Sequence, residues 1–414
     1  MRVSTLQTFS NGVKNMQRVS SMAADTQQQI STGRKFLKPS DDPVAATRIL
    51  QLNQELASRD QYKQNIIAVT NRLSLEETVL TGVTNVLQRI RELSVQSGAG
   101  TLNASDRKSL ALEVEVRTDE VLGLLNTLDA NGEYLFSGHK GSVQPFVNGG
   151  GGSYKFVGDE GERLAQIASG TFVASRDSGK DIFEDVRAFE KTFVTNNNPR
   201  NTANPPASMN VGQVSDQAAF DMFHPEDAYI VFEPVEARQP PAVNYTVRRK
   251  SDNRVVDGLQ NEAFISGAKI EFQGVSVRIS GTPDVGDSFL LESTSKQSLL
   301  TTMGRFAEGM SRFDDSFEGR AQLDSLVAQT LQNLDNAQSS ILEARSKIGG
   351  RLNILESTQS MHEDVELLSQ EILSQLQDVD FAEAVSRLSL ETFILEASQQ
   401  SFARIANLSL FNSL

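Results

Sequence analysis

Hydrophobic side chains recur every seven residues near both ends of the chain. The row nearest the N-terminus consists of Phe9, Met16, Ala23, Ile30 and Leu37, and Leu6 and Val13 form a second row beside it. Later rows consist of Ile66, Leu73, Leu80 and Leu87, then of Val327, Leu334, Ile341, Ile348 and Leu355. The last row consists of Phe381, Leu388, Leu395 and Phe402, with Val385 and Ile405 between the rows. A seven-residue period brings apolar side chains to one helix face, as in coiled coils and bundles. The pattern therefore predicts long helices at both ends.

These helices are interrupted where the local residues oppose a helix. A break is predicted over 33–43, because Asp41-Asp42-Pro43 forms an N-cap region with proline in the first turn of the next helix. Gly98–Gly100 separates that second helix from a third, which is predicted over about 105–128 with Ser105 as its N-cap. The apolar face of this third helix is predicted to contain Leu110, Val114, Val121, Leu125 and Leu128.

The middle of the chain has a different composition. Nine of the 11 prolines and 15 of the 28 glycines fall between residues 141 and 290. Proline breaks helix interiors, so this segment is predicted not to be helical. Short β-branched and aromatic runs bounded by turn residues predict strands at 154–157, 229–232, 244–248, 270–272, 275–279 and 288–291. The run Gly149–Gly152 is interpreted as a flexible linker.

Together these patterns predict a mainly α protein with an inserted β-rich domain, in which both termini build a long helical bundle or coiled coil. Residues 1–40 and 365–414 are predicted as terminal helical arms, 41–140 with 292–364 as a helical bundle domain, and 141–291 as the insert. Burying about twelve apolar side chains in the arms contributes roughly 18–36 kcal/mol, whereas ordering ~80 residues costs on the order of 80–160 kcal/mol. We therefore expect the arms to be disordered in the free monomer and to fold on assembly.

The charge distribution adds a restriction on partners. The 414 residues carry 39 Lys and Arg against 53 Asp and Glu, a net charge of -14. So acidic a chain is a poor ligand for nucleic acid or an anionic membrane, and we expect neither as a partner. The charge is uneven, because residues 1–40 are net basic and 361–414 net acidic. Arms of opposite sign favour pairing with each other, within or between chains.

No catalytic, metal or cofactor site is predicted. The chain has no Cys and three His, which excludes disulfides, thiolate chemistry and Cys-based zinc sites. His362 continues the row that ends at Leu355 and is interpreted as a helix-face residue. Asp129-Ala-Asn131-Gly132 has the glycine too early for a calcium loop, so a helix-terminating turn with Asn131 or Gly132 in the left-handed region is predicted. The first thirty residues contain no long apolar run, and no cleaved signal peptide is expected.

Four segments together resemble the flagellin superfamily. Ile30–Ala46, which contains Asp41, Asp42 and Pro43, is similar to the turn between an arm and the next helix, and 378–408 is similar to the terminal helix. Asp129–Gly138 and the ending 408–412 resemble the members at the junction between hook and filament. The family-motif residues in these segments are Asp41, Asp42, Pro43, Asn131, Gly132, Tyr134, Phe136 and Gly138.

The resemblance implies a structural subunit of the extracellular bacterial flagellum and not an enzyme. Such a subunit is exported unfolded by the flagellar type III apparatus, and a chaperone covers its C-terminal helix in the cytoplasm. It forms a ring with copies of itself, between hook-associated protein 1 and flagellin. The apolar rows at the two termini are then the expected assembly interface, and no cofactor is implied.

Other functions fit parts of the pattern. The nearest alternative is a filament flagellin, which the segment Asn131–Gly138 disfavours. An enzyme housed in the insert is disfavoured by the few histidines and the lack of cysteine. A coiled-coil adhesin would need an export signal or surface anchor, and none is visible. The rows over 44–140 and 290–360 also fit an ordinary intramolecular bundle core.

Overall fold

A computed structural model describes residues 5–99, 102–313 and 316–411. The helices are α1 (Thr5–Thr32), α2 (Pro43–Ser97), α3 (Ala104–Leu125), α4 (Gln217–Phe223), α5 (Leu299–Arg312), α6 (Phe317–Gln377) and α7 (Phe381–Phe411). The strands are β1 (Phe146–Gly150), β2 (Ser153–Phe156), β3 (Leu164–Ala168), β4 (Thr171–Ala174), β5 (Arg187–Asn197), β6 (Ser208–Met209), β7 (Gln213–Val214), β8 (Ala228–Glu233), β9 (Asn244–Arg249), β10 (Glu262–Ala263), β11 (Lys269–Phe272), β12 (Val275–Ser280) and β13 (Ser288–Lys296). The predicted fold class, mainly helical with a β-rich middle, is confirmed.

The chain divides into two compact units, and both ends belong to the first. Unit 1 contains 1–64 and 356–414, and unit 2 contains 65–355. The divisions therefore fall inside the long helices α2 and α6, and the strands belong to the same unit as the central helices.

The helical core of unit 2 is built from the predicted seven-residue rows. Every residue of the row Ile66–Leu87 and of the row Val327–Leu355 is buried. Both rows belong to one cluster with residues of α3 and α5, and α3 packs against α5. Two ion pairs, Arg91 with Asp335 and Arg345 with Glu77 at 3.5 Å, join α2 to α6 beside this core. The α2 and α6 rows thus face one interior, as a bundle requires.

The β-rich part of unit 2 has its own core. A five-stranded antiparallel sheet has the order β10-β9-β8-β13-β5, and β12 pairs with β11 on one side and with β6 and β7 on the other. Alternate residues of β8 are buried, as in a sheet with one covered face. The buried aromatic side chains of this second core are Phe193, Phe220, Phe223, Phe232, Tyr245, Phe272 and Phe289.

Three local predictions were wrong. The N-cap of α3 is Asn103, which forms a capping box with Asp106, and not Ser105. Leu128 follows the helix and is exposed. The run Gly149–Gly152 is the turn of the β1–β2 hairpin, because Gly150–Gly152 have positive φ and a Cβ on Gly151 would lie 2.9 Å from the Cα of Asn210. Close packing, which composition does not reveal, makes this glycine run ordered.

Adjacent positions on α6 allow the core assignment to be tested. Ile341 is fully buried, whereas its neighbour Leu342 is 50% exposed. We expect Ile341→Ala to lower the free energy of unfolding of unit 2 by about 2–5 kcal/mol, because it removes buried methylenes and leaves a cavity. Leu342→Ala is the matched control and should cost less than about 1 kcal/mol. Denaturant unfolding followed by circular dichroism measures both, and equal losses would contradict the assignment.

Candidate assembly surface

Helices α1 and α7 form an antiparallel pair within unit 1. Arg34 bridges to Asp378 at one end of the pair, and Gly12 lies against Phe402 towards the other. The side chains that are buried or half-buried along this seam on α1 are Val13, Met16, Val19, Ala23, Thr26 and Ile30. Those on α7 are Ala384, Leu388, Glu391, Leu395, Ser398 and Phe402. Both sets are built from steps of three and four residues, which is the spacing of a coiled-coil seam.

The seam is closely packed but buries few large side chains. A Cβ on Gly12 would lie 3.3 Å from the Cδ2 atom of Phe402, so the absence of a side chain admits the ring. The seam residues that are fully buried are the small or polar Ala23, Thr26, Ala384 and Glu391. The large apolar ones are half-buried, so their burial within this pair is incomplete.

The predicted interface residues fall into three groups. Val13, Met16, Ala23 and Ile30 meet Leu388, Leu395 and Phe402 in the seam. Phe381 and Val385 are exposed and lie outside it. The side chains of Leu6, Phe9 and Ile405 lie outside the described part of the chain. The role of all these residues in assembly stays a prediction.

Sequence reasoning missed a second apolar face on α7. Leu390, Phe393 and Ile394 are exposed by 59%, 68% and 41%. Leu390 and Phe393 lie on the side of the helix away from the seam, and Ile394 lies beside the edge of the seam. Their positions do not follow the seven-residue row, which is why the search for that period passed over them. The signal that could have found them is the high content of large apolar residues in 388–395, on every side of the helix.

Aspartate side chains cap the N-termini of α2 and α7. The Asp42 Oδ1 atom accepts from the backbone N–H groups of Val44 and Ala45 at 3.0 and 2.9 Å, and Pro43 is the first residue of α2. Asp41 accepts from the N–H of Lys38 at 2.9 Å and closes the preceding turn. The break predicted over 33–43 and its capping are thus confirmed. Asp380 caps α7 in the same way, with acceptance from Ala382 at 2.9 Å.

The turn also connects the first arm to the last. The N–H of Lys35 donates to the carbonyl of Gln377 at 2.7 Å, and the N–H of Val379 donates to the carbonyl of Gly33 at 3.0 Å. Gly33 has φ of +69°, a conformation that favours glycine. These two bonds hold the end of α1 beside the start of α7, which sets where the seam begins.

The segment Asp129–Gly138 is a structural clamp in unit 2. Its Asp129 carboxylate accepts from the N–H groups of Asn131 and Glu133 at 2.8 and 2.9 Å and pairs with Arg72 of α2. Arg72 also donates to the carbonyl of Tyr134 at 3.1 Å. The predicted left-handed position is Gly132, with φ of +76°. The turn is therefore held on α2 by one arginine.

The second half of the segment is held by packing. Phe136 is buried and meets the ring of Phe183 edge-on, with the centroids 5.2 Å apart. Gly138 has φ of +69°, and a Cβ there would lie 2.3 Å from the carbonyl oxygen of Asp159. Packing and backbone conformation therefore account for Phe136 and Gly138, whereas Asn131 and Tyr134 take part through their backbone atoms.

A buried carboxyl lies near this clamp. Glu76 of α2 is fully buried. Neither of its carboxylate oxygens accepts a hydrogen bond from an N–H or O–H group of the described residues. Burial, and next the neighbouring Asp177 carboxylate, raise the pKa of Glu76 well above its usual range. Asp177 itself accepts two bonds from Arg351 at 2.6 and 3.0 Å. A protonated Glu76 can donate to Asp177, which accounts for an acid in this position.

Within the described residues there is no cluster of three or more His, Asp or Glu that could hold a metal ion. No helix there is long and apolar enough to cross a membrane. The arms therefore offer two helix surfaces for binding, namely the incompletely buried α1–α7 seam and the exposed apolar face of α7.

Comparison with known families gives the class of protein. The N-terminal helical region of bacterial flagellin matches residues 3–141, and its C-terminal helical region matches 331–414. Together they cover more than half of the chain, and they include both arms. The chain therefore belongs to the flagellin family and is a structural protein of the bacterial flagellum.

Within this family the chain is similar to flagellar hook-associated protein 3. It is 26% identical over 411 residues to that protein from Escherichia coli K12, which covers 99% of each chain. It is 33% identical over 186 residues to the same protein from Salmonella typhimurium, and the matched stretch covers 45% of this chain and 58% of the relative. The crystal structure of hook-associated protein 3 from Legionella pneumophila matches with a TM-score of 0.53 and 28% identity, over 79% of this chain and 98% of that one.

The buried carboxyl predicts a pH dependence. Because the folded-state pKa of Glu76 is raised, its contribution to stability is fully present below the ordinary glutamate pKa and is lost as the pH rises through the raised value. We expect Glu76→Gln, which keeps a donor towards Asp177, to stabilise unit 2 relative to the unchanged chain at pH 8. The difference should shrink as the pH falls towards 4.5. Thermal unfolding at several pH values measures it.

Glu77→Gln is the matched control, since Glu77 is next in sequence, is half-buried and has its carboxylate paired with Arg345 at 3.5 Å. It removes the same charge without removing a buried carboxyl, so its effect should depend much less on pH. Parallel curves for the two variants would show that burial of Glu76 has no energetic consequence.

Proposed function

We propose that this chain is the subunit of a ring at the distal end of the flagellar hook, between hook-associated protein 1 and the first flagellins of the filament. The observation that carries the proposal is the exposed apolar face of α7. A helix that is apolar on all sides is stable when it is buried on all sides, and α1 covers one side only. Similarity to hook-associated protein 3 over nearly the whole length supports the junction over the filament.

The composition of the α1–α7 seam supports assembly by coupled folding. Its fully buried residues are small or polar, and Glu391 places one carboxylate oxygen there with no hydrogen-bond partner. A buried unpaired polar group costs free energy. The pair of arms is therefore weakly stabilised within one chain and gains most of its burial from neighbouring subunits. Because the arms fold when they bind, they become ordered only at their correct position in the assembly.

The same surface needs protection before assembly. An exposed face with Leu390, Phe393 and Ile394 is a liability in the cytoplasm, because large apolar patches associate. A chaperone that covers α7 until export fits this surface. Export in an unfolded state through the flagellar type III apparatus fits weakly stabilised arms and a chain without cysteine, which cannot form cross-links.

The outer face of α7 gives the sharpest test of assembly. Phe393 is exposed in the single chain, so Phe393→Asp should leave helix content and thermal unfolding unchanged. The same variant should abolish junction formation, because a carboxylate would be buried without a partner between subunits. Ser389→Asp is the matched control, since Ser389 is exposed on the same helix and is already polar. Flagellin shed into the medium by a strain that carries each variant, with hooks counted by electron microscopy, is the measurement.

The seam gives a second and different test. Leu395 is half-buried against α1, so Leu395→Asp should release the arms while the unfolding of unit 2 stays the same. It should also abolish junction formation. If filaments still grow on this variant, the seam has no role in assembly. Hydrogen exchange of the unchanged free chain checks coupled folding, because strong protection of both arms in the monomer would rule it out.

A filament flagellin is the second candidate, since both matched helical regions are those of flagellin. Seeding the purified chain with filament fragments distinguishes the two. A flagellin extends the seeds into long filaments visible by electron microscopy, whereas a junction subunit does not.

A further inference from the structure

A basic cavity lies in unit 2, where strand β12 meets α5 and the start of α6. Its volume is about 230 Å³, and four cationic side chains line it, namely Lys269, Arg278, Arg305 and Arg312. Two carboxylates, Glu308 and Glu318, share the lining. Cations are therefore in excess within one small cavity.

Two of the four cations are paired and two are not. Lys269 pairs with Glu271, and Arg312 pairs with Glu308 at 3.0 Å. In the described part of the chain, Arg278 and Arg305 have no carboxylate within ion-pair distance. Arg278 donates to the backbone carbonyl of Gly267 at 3.0 Å, which is a neutral acceptor. Among the described residues, neither of these two charges has a carboxylate in direct contact, although Glu308 acts on both at longer range.

Arg305 is the more constrained of these two arginines. It is 7% exposed and lies over the ring of Phe193, at 4.8 Å from the centroid. Its Nη1 atom donates to the side chains of Thr192 at 2.5 Å and Gln297 at 2.6 Å, and its Nη2 atom donates to the carbonyls of Phe193 at 2.6 Å and Val211 at 3.4 Å. Its Nε atom is buried without an acceptor. Burial lowers the pKa of Arg305 to about 10, so it remains charged near neutral pH. It also lines a neighbouring cavity of about 80 Å³.

A buried cation without a counter-charge is costly, and a bound anion offsets that cost. Guanidinium groups match carboxylates and phosphates in geometry, because they present parallel donors. The cavity also offers neutral polar groups beside them: Asn210, Gln213, Ser276 and Gln322. We propose that this cavity binds one small anion, a phosphate or a carboxylate, through hydrogen bonds from Arg278 and the positive charge of the buried Arg305. This is a ligand site in the folded subunit, separate from the assembly surface of the arms.

The shared chemistry of the ligand is a compact oxyanion, which inorganic phosphate or a sugar acid can supply. Isothermal titration calorimetry of the full chain with phosphate and with glucuronate separates these two sources. Each titration is run at one ionic strength, with chloride as the reference anion. Binding of either anion supports the site, and the anion that binds more tightly indicates whether the natural ligand is a phosphate or a carboxylate.

Two variants test the residues. Arg278→Gln removes one unpaired charge and should weaken binding about tenfold or more, as expected for loss of a charged hydrogen bond. Gln322→Glu keeps the side-chain shape but adds a carboxylate to the lining, and it should abolish binding by charge repulsion. Arg254→Gln is the control, since Arg254 is an exposed arginine of the same β-rich part and does not line the cavity. It should bind as the unchanged chain does.

The proposal fails if neither anion binds better than chloride, or if Arg278→Gln and Gln322→Glu both bind as tightly as Arg254→Gln. It also fails if binding appears only when Asp314 and Asp315, the acidic pair next in sequence to the lining residue Phe313, are both changed to asparagine. The chain's own carboxylates would then be the occupants. Equal thermal unfolding of unit 2 in the three variants shows that loss of binding is not loss of fold.

Discussion

Burial of the seven-residue rows on α2 and α6 is the interaction on which the rest of unit 2 depends. Both rows are buried along their whole length and share one core with α3 and α5. Because α2 and α6 are long and continuous, this core provides a rigid base on which the other elements dock. The Asp129–Gly138 segment and the β-rich part are held from this base, by Arg72 on α2 and by Arg305 on α5.

The arms have the same spacing of apolar positions as the helices of unit 2, but packing stabilises them less. In unit 2 the rows bury isoleucine, leucine and valine, whereas the α1–α7 seam fully buries alanine, threonine and glutamate. Area removed from water sets most of the gain from packing, so the seam contributes much less per helical turn. Large apolar side chains remain half-buried or exposed on both sides of α7. This difference separates a part of the chain that is stable alone from a part suited to completion by neighbours.

The buried and half-buried arginines of unit 2 are compensated in two ways. Arg72, Arg176 and Arg351 are matched by the carboxylates of Asp129, Glu133 and Asp177. Arg305 is surrounded by neutral acceptors and an aromatic ring instead. The first arrangement attaches loops to helices, and the second leaves a net charge beside a cavity. All the residues that line this cavity belong to unit 2.

The sequence alone determined the helical rows, the break before α2 and six of the 13 described strands, because period and capping are local properties of the chain. It also pointed to the family through segments at both ends, and comparison confirmed this. It did not predict β5, the longest strand, because the run Arg187–Asn197 alternates poorly and lies in the sheet through pairing with β13. Only the tertiary structure decided which apolar residues of α7 face α1, and only it brought Arg278 and Arg305 to one cavity. Both depend on contacts between residues far apart in sequence, and no local pattern encodes those contacts.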